Sequence, residues 1–96
     1  MKVLLIEDTK ELADSLRLFF ELEKNHVEMA HDLSEAKHFA SVTHFDIILL
    51  DIMLPDGDGR DFLRTIRSKN NNTPVIVMTA RSEISDRIDL LDIGAD

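Results

Sequence analysis

The sequence predicts an α/β domain in which a parallel sheet carries helices on both faces. Short aliphatic runs, each typical of a strand that is buried on both sides, recur along the chain. Segments with the spacing of amphipathic helices alternate with these runs. The runs are separated by residues 7–26, 31–44 and 51–74, and each interval is long enough for a helical crossover. Parallel strands joined by helices are therefore expected, rather than hairpins between neighbouring runs.

The first half of the chain contains two predicted strands, each followed by a predicted helix. Lys2–Ile6 is mostly aliphatic and ends at two acids, which suits a buried strand. His26–Ala30 is the second predicted strand, and Asp32 and Glu35 after it have the spacing of a capping box. The first helix is expected to bury an apolar stripe of four residues: Leu12, Leu16, Phe19 and Phe20. The second helix has a smaller apolar stripe: Leu33, Ala36 and Ala40.

The second half adds two predicted strands and two predicted helices. Phe45–Leu50 is the strongest strand in the chain, and Val75–Met78 is the fourth, preceded by the turn Asn70–Pro74. Three residues break the backbone into a loop after the third strand: Pro55, Gly57 and Gly59. The helices are predicted from two further sets of apolar residues: Phe62, Leu63 and Ile66, then Ile84, Ile88 and Leu91 before Gly94.

Length and composition indicate one domain and exclude several kinds of function. The 96 residues include no cysteine, which excludes disulfides and thiolate metal sites. The net charge of −8 repels a polyanion, so this chain alone is not expected to bind DNA. No apolar run approaches the roughly 20 residues of a membrane span, and no secretory signal follows Met1, so a cytoplasmic location is expected.

Three carboxylates and one hydroxyl are predicted at the carboxyl edge of the sheet, where parallel α/β sheets bind ligands. Glu7 and Asp8 follow the first strand, Asp51 follows the third, and Thr79 follows the fourth. Two ionised carboxylates about 4 Å apart repel by roughly 4 kcal/mol at an effective dielectric constant near 20. Such a cluster needs protonation or a cation. Oxygen ligands favour a hard ion, and Mg²⁺ is the best candidate.

Asp51 has the position of a phosphoryl acceptor. Its carboxylate can attack phosphorus to form an acyl phosphate if a cation neutralises the charge on the incoming oxygens. The glycine-containing loop behind Asp51 can fold back so that a main-chain carbonyl reaches the metal. Thr79 is then expected to hydrogen-bond the phosphoryl group.

Four motifs, in order, carry a family resemblance over the whole chain: Glu7-Asp8, Asp51-Ile52-Met53-Leu54-Pro55 with Gly59, Met78-Thr79-Ala80, and Gly94-Ala95-Asp96. With these motifs the chain resembles the receiver domain of bacterial two-component response regulators. The resemblance implies a flavodoxin-like, doubly wound α/β fold with strand order 2-1-3-4 in this chain. It also implies a single receiver domain, residues 1–96, that lacks the family's fifth strand and fifth helix.

The resemblance further implies a role for each acid. Asp51 is expected to be phosphorylated by a sensor histidine kinase in a Mg²⁺-dependent reaction. Asp8 and Asp51 would ligate Mg²⁺ together with the backbone carbonyl of Met53, and Glu7 would act through a metal-bound water. The domain is thus expected to be a signalling module and not an enzyme, with at most self-catalysed phosphoryl transfer and slow self-dephosphorylation.

Residues after the fourth strand imply a switch and a subfamily. Thr79 would be the switch hydroxyl, and the backbone amide of Ala80 would hold phosphoryl oxygens. The segment around them resembles receivers that precede a winged-helix DNA-binding domain, so DNA would be bound only through an output domain outside this chain. In that subfamily Arg87 and Asp96 would belong to ion pairs of a homodimer interface. The open edge of the fourth strand also predicts self-association.

Several residues have simpler interpretations that the sequence leaves open. Asp8 and Glu11 have the spacing of a capping box, so Asp8 is a candidate N-cap of the first helix. Asp56 and Asp58 are expected to form turns or to cap a helix rather than to bind metal. The histidines have no metal-ligand spacing and are expected near the ends of elements opposite to the acids: His26, His31, His38 and His44.

The alternative function is a phosphorylation-independent interaction module. The complete set of acids favours signalling, and the only argument for this alternative is that the lysine which the family carries at the end of its fifth strand is absent from this chain. An aspartyl-phosphate phosphatase needs a second acid where this chain has Met53. A flavin carrier would share the fold, but Glu7 and Asp8 would repel its phosphate. An EF-hand in this loop lacks the oxygen ligand required at Arg60.

Overall fold

A computed structural model of the chain describes residues 1–78 and 93–96. The helices are α1 (Lys10–Leu22), α2 (Leu33–Val42) and α3 (Gly59–Ser68). The strands are β1 (Lys2–Ile6), β2 (His26–Ala30), β3 (Ile47–Asp51), β4 (Met53–Leu54), β5 (Gly57–Asp58) and β6 (Val75–Met78). The predicted alternation of strands and helices is confirmed over these residues.

Four strands form one parallel sheet in the order β2-β1-β3-β6. β1 pairs with β2 and with β3, and β3 pairs with β6, each in the parallel sense. Because β6 is the fourth of the predicted strands, the expected order 2-1-3-4 is confirmed. Parallel pairing places the carboxyl ends of the four strands together, at what we call the carboxyl edge.

Helices pack on both faces of the sheet because alternate residues of each strand point to opposite sides. On one face, Val3, Leu5 and Leu49 form a cluster with Ala13 of α1. On the other face, α2 and α3 join the strands in a larger cluster that includes Leu4, Ile6, Ile48, Leu50, Val75, Leu33, Ala36, Phe62, Leu63 and Ile66. The carboxyl edge is therefore supported by a core on either side.

The side of α1 that packs on the sheet differs from the predicted one. Ala13 is buried, and Leu16 and Phe20 are half-buried. Leu12 and Phe19, in contrast, are 46% and 60% exposed, so the prediction that both are core residues is wrong. Apolar residues occupy more than one side of this helix, and spacing alone does not locate the middle of the buried stripe. The ring of Phe19 packs edge-on against Phe20 instead.

The predicted loop after Asp51 contains a short hairpin. β4 and β5 pair in the antiparallel sense, and Pro55 and Asp56 form the turn between them. Gly57 follows with a φ of +150°, a conformation that L side chains rarely adopt. Strands of this length are too short to leave an alternating pattern, so the sequence indicated only the turn residues.

The third predicted helix is confirmed as α3, in which Phe62, Leu63 and Ile66 are buried. The fourth predicted helix lies outside the described residues: Ile84, Ile88 and Leu91. Over residues 1–78 and 93–96, no helix combines the length and the apolar content that crossing a bilayer requires.

The guanidinium of Arg67 joins the end of α3 to the chain segments beside it. Its Nε and Nη2 donate to the carbonyl of Gly94 at 3.0 and 2.8 Å. Nη1 donates to the carbonyls of Asn71 and Thr73 at 2.9 and 2.8 Å, and Nη2 lies 3.3 Å from the carboxylate of Asp96. Only 18% of the side chain is exposed. Every N–H donor of this guanidinium therefore has an acceptor.

We expect Arg67→Ala to lower the free energy of unfolding by about 2–4 kcal/mol, because it leaves backbone carbonyls without their donor. Arg64→Ala is the matched control. This arginine lies one turn earlier on α3, is 55% exposed and bonds to Asp61 at 3.2 Å. Its loss should cost about 0.5 kcal/mol or less. Urea unfolding measures both variants, and equal losses would contradict the role given to Arg67.

Candidate functional site

Glu7, Asp8 and Asp51 meet at the carboxyl edge of the sheet. Ile6 pairs with Leu50 in the register of β1 and β3, so the residues that follow them lie side by side. One carboxylate oxygen of each acid lies within 4.8 Å of the others. The expected gathering of these acids is therefore observed, and their chemical roles stay predictions. We call these three residues the acid cluster.

Glu7 is the buried member of the acid cluster, with 3% of its surface exposed. Burial raises the pKa of its carboxyl above the ordinary value of 4.5, and the charge of Asp51 raises it further. The backbone N–H of Thr9 donates to Oε1 of Glu7 at 3.0 Å and opposes this rise in pKa. A hydrogen bond between the carboxyls of Glu7 and Asp51 adds to the rise. The folded chain therefore holds the proton of Glu7 more tightly than a solvent-exposed glutamate would.

The acid cluster has the chemistry of a site for a hard divalent cation. Mg²⁺ binds oxygen ligands at about 2.1 Å, so ligands on its opposite sides lie about 4.2 Å apart. The carboxylate oxygens of the three acids lie at a similar separation, within 4.8 Å of one another. An acid that contacts the ion through a water would lie further from the other ligands. Asp8 is exposed and Asp51 is half-buried, so the cluster is open to a hydrated ion. The residues present fit the expected Mg²⁺.

Asp8 does not cap α1. The helix begins at Lys10, and Thr9 occupies the N-cap position without a side-chain capping bond. The backbone of Thr9 donates instead to Glu7. The N-cap interpretation of Asp8 is therefore wrong, because the helix starts one residue later than that interpretation requires.

The peptide after Asp51 packs against the start of α3. The N–H of Gly59 donates to the carbonyl of Ile52 at 2.6 Å. A Cβ on Gly59 would lie 2.7 Å from the backbone oxygen of Asp51 and 3.0 Å from Cα of Ile52, so glycine is required for this close approach. Asp58 caps α3 by accepting a bond from the N–H of Arg60 at 2.9 Å, which confirms its predicted capping role.

Asp56 caps a helix, as expected, but the helix is α2 rather than the adjacent α3. Its Oδ1 accepts a bond from the N–H of Leu33 at 2.8 Å, and its Oδ2 accepts one from Ser34 at 3.1 Å. These bonds, led by the one from Leu33, hold the pKa of Asp56 below its ordinary value of 3.8. The contact with Leu33 spans 23 positions of the chain, and no local pattern indicated it.

The prediction that all four histidines lie away from the acids is wrong for His31. This residue follows Ala30, the last residue of β2, so parallel pairing puts it at the carboxyl edge. Its Nδ1 lies 3.4 Å from the backbone oxygen of Glu7. This placement could have been predicted from the parallel sheet, because a residue that directly follows a strand lies at the carboxyl edge.

Three predicted site residues lie outside the described residues, and their roles stay predictions: Thr79, Ala80 and Arg87. Met53 lies in β4 just beyond Asp51, and its part as a carbonyl ligand also stays a prediction. The carboxylate of Asp96 accepts a bond from the N–H of Val75 at 2.9 Å and pairs with Arg67 within the chain. Its part in a dimer interface is not tested by these contacts.

Known proteins resemble this chain over its full length. The family model described as "Response regulator receiver domain" matches residues 3–96. The chain is 41% identical to the response regulator protein PmrA of Pseudomonas aeruginosa, 38% identical to the transcriptional regulatory protein PmrA of Pectobacterium parmentieri and 36% identical to the response regulator MprA of Mycobacterium avium. Each comparison covers 100% of this chain but only 43%, 43% and 42% of the relative, respectively. The chain thus spans less than half the length of these relatives.

Solved structures show the same fold. The receiver domain of the Francisella response regulator 1452 matches with a TM-score of 0.94 at 34% identity, over 99% of this chain and 78% of that chain. The non-phosphorylated HemR receiver domain from Leptospira biflexa matches with a TM-score of 0.92 at 34% identity, over 98% of this chain and 76% of that chain. Fold and sequence therefore agree on one group of relatives.

We expect Glu7→Gln to raise the free energy of unfolding of the metal-free chain at pH 7 but not at pH 4. The folded chain holds the Glu7 proton more tightly than the unfolded chain does, because the pKa is raised on folding. Stability therefore falls as the pH rises from 4.5 through the raised pKa, and glutamine removes this fall. Urea unfolding in EDTA across this pH range is the measurement.

The control for this experiment is Glu23→Gln, which changes an exposed carboxyl just after α1. It should leave the pH dependence of stability unchanged. If the wild type and Glu7→Gln gave parallel curves of unfolding free energy against pH, the raised pKa of Glu7 would be refuted.

Proposed function

Because the chain belongs to the response regulator receiver domain family, we propose that Asp51 accepts a phosphoryl group in a Mg²⁺-dependent reaction. The donor is the phosphohistidine of a sensor histidine kinase. One observation carries the proposal: the acid cluster brings three carboxylate oxygens within 4.8 Å of one another at the carboxyl edge. The domain then works as a phosphoacceptor signalling module.

In the transfer, a carboxylate oxygen of Asp51 attacks phosphorus in line with the leaving nitrogen of the donor. The P–N bond breaks, its electron pair stays on the imidazole, and an acyl phosphate forms on Asp51. Mg²⁺, held by Asp8, Asp51 and the backbone carbonyl of Met53 with Glu7 acting through water, would neutralise charge on the phosphoryl oxygens. Asp51 is half-buried, which leaves its carboxylate accessible to a donor.

A switch and an output complete the proposal. Thr79 would turn toward the phosphoryl group, and the backbone amide of Ala80 would hold one of its oxygens. A relative that the chain matches over less than half of its length is named a transcriptional regulatory protein. We therefore propose a cytoplasmic protein that regulates transcription through a separate winged-helix DNA-binding domain.

Self-association is the remaining part of the proposal. Arg87 and Asp96 would contribute ion pairs to a homodimer interface.

Asp51→Asn is expected to abolish labelling of the chain by acetyl phosphate and Mg²⁺, because an amide cannot form the acyl phosphate. A phosphate-affinity gel and the intact mass measure the label. Asp46→Asn is the matched control, since Asp46 lies just before the opposite end of β3 and accepts a bond from the N–H of Lys2. Equal labelling of both variants would remove Asp51 from the mechanism. Regulation that survives Asp51→Asn would favour the phosphorylation-independent interaction module.

Asp8→Ala is expected to weaken Mg²⁺ binding by about tenfold or more, because it removes a charged oxygen ligand. Calorimetric titration with Mg²⁺ measures the affinity. Asp14→Ala is the control: its carboxylate lies on α1, 43% exposed, beside Arg17. Unchanged Mg²⁺ affinity in Asp8→Ala would count against the metal assignment.

A further inference from the structure

The turn of the β4–β5 hairpin is joined to α2 by a carboxylate that phosphoryl transfer does not use. Both oxygens of Asp56 accept bonds, from the N–H groups of Leu33 and Ser34 at 2.8 and 3.1 Å. A helix leaves the N–H groups of its first turn without partners inside the helix. In α2 the N–H of Glu35 donates to the side chain of Asp32 at 2.8 Å. Asp56 supplies acceptors for the two N–H groups before it.

Two further contacts hold this hairpin in place. A Cβ on Gly57 would come within 3.0 Å of Cδ1 of Leu33, so the hairpin backbone lies directly on that side chain. Leu54 of β4 is buried in the same core cluster as Leu33. At the base of the hairpin, the N–H of Gly59 bonds to the carbonyl of Ile52. The hairpin therefore connects the start of α2 with the chain at the acid cluster.

We propose that Asp56 is a positioning residue of the acid cluster: by clamping the hairpin to the start of α2, it holds Met53 and Asp51 where they can bind Mg²⁺. The inference rests on the proposed function, since the ligands that Asp56 places are those named there. A hairpin with two residues on each strand has little stability of its own. Besides the contacts of Leu54 and Gly57, charge-assisted bonds at a helix N-terminus, where the dipole favours an anion, attach the hairpin to α2.

The clamp should act in both directions, because coupling between two sites is reciprocal. Loading the chain with Mg²⁺ is expected to slow hydrogen exchange at the amides of Leu33 and Ser34, which donate to Asp56. This response should disappear when the carboxylate of Asp56 is removed. A residue that only stabilised α2 would not transmit the presence of the ion.

Asp56→Ala removes the clamp, and Asp32→Ala is its matched control. Both variants take a capping carboxylate from the start of α2, but only Asp56 belongs to the hairpin. Asp56→Ala is expected to weaken Mg²⁺ binding about tenfold, because the hairpin that carries Met53 loses its attachment to α2. Asp32→Ala should lower the stability of α2 and leave Mg²⁺ affinity unchanged. Asp56→Asn, which keeps one carbonyl acceptor, should fall between the wild type and Asp56→Ala.

Calorimetric titration with Mg²⁺ and hydrogen exchange followed by NMR measure these effects on the whole chain. In the metal-free chain, Asp56→Ala should speed exchange at the N–H of Gly59, at the base of the hairpin, whereas Asp32→Ala should not. Equal Mg²⁺ affinity in the wild type and Asp56→Ala, or equal weakening by Asp32→Ala, overturns the positioning role. If the wild type binds no Mg²⁺, the proposed function fails, and exchange at Gly59 then decides whether Asp56 holds the hairpin.

Discussion

The register of β1 and β3 places the carboxyl groups of Glu7 and Asp51 next to each other, and the surrounding structure holds them there. Ile6 pairs with Leu50, so Glu7, which follows β1, lies beside Asp51, the last residue of β3. Two ionised carboxylates this close repel each other, more strongly where burial lowers the dielectric constant. A core on both faces of the sheet keeps the strands in register, and the N–H of Thr9 partly offsets the negative charge on Glu7. Core packing, rather than an interaction between the acids, therefore holds the two carboxyl groups where a cation can bind.

Three aspartates lie in one short segment, Asp51, Asp56 and Asp58, and the groups that surround them give them different roles. Asp58 accepts an N–H at the start of α3, and Asp56 accepts two at the start of α2. Donors and the helix dipole stabilise both of these carboxylates as anions. Asp51, in contrast, lies beside the carboxyl of Glu7. The partners of Asp56 and Asp58 therefore assign these two acids to helix capping, whereas its position beside Glu7 places Asp51 in the acid cluster.

Features that repeat along the chain could be predicted from the sequence, whereas features that depend on one distant contact could not. Strands and helices follow from aliphatic runs and helical spacing, and the convergence of the acids follows from parallel pairing. The strand order came from the family resemblance. On α1, helical spacing did not identify the buried side, because the position of the sheet against the helix decides which apolar residues are buried. Leu12 and Phe19 face away from the sheet and are exposed. The bond from Leu33 to Asp56 joins residues 23 positions apart, and the sequence around either residue does not indicate the other.

The contact between Gly59 and the backbone of Asp51 restricts how the protein can vary during evolution. A single added methyl group at Gly59 would meet the backbone oxygen of Asp51 at 2.7 Å. The adjacent Asp58 acts through a capping acceptor that serine, threonine or asparagine also provides. Two neighbouring positions thus face opposite selection: the cap can drift among several residue types, while the glycine must persist for as long as Asp51 keeps its place.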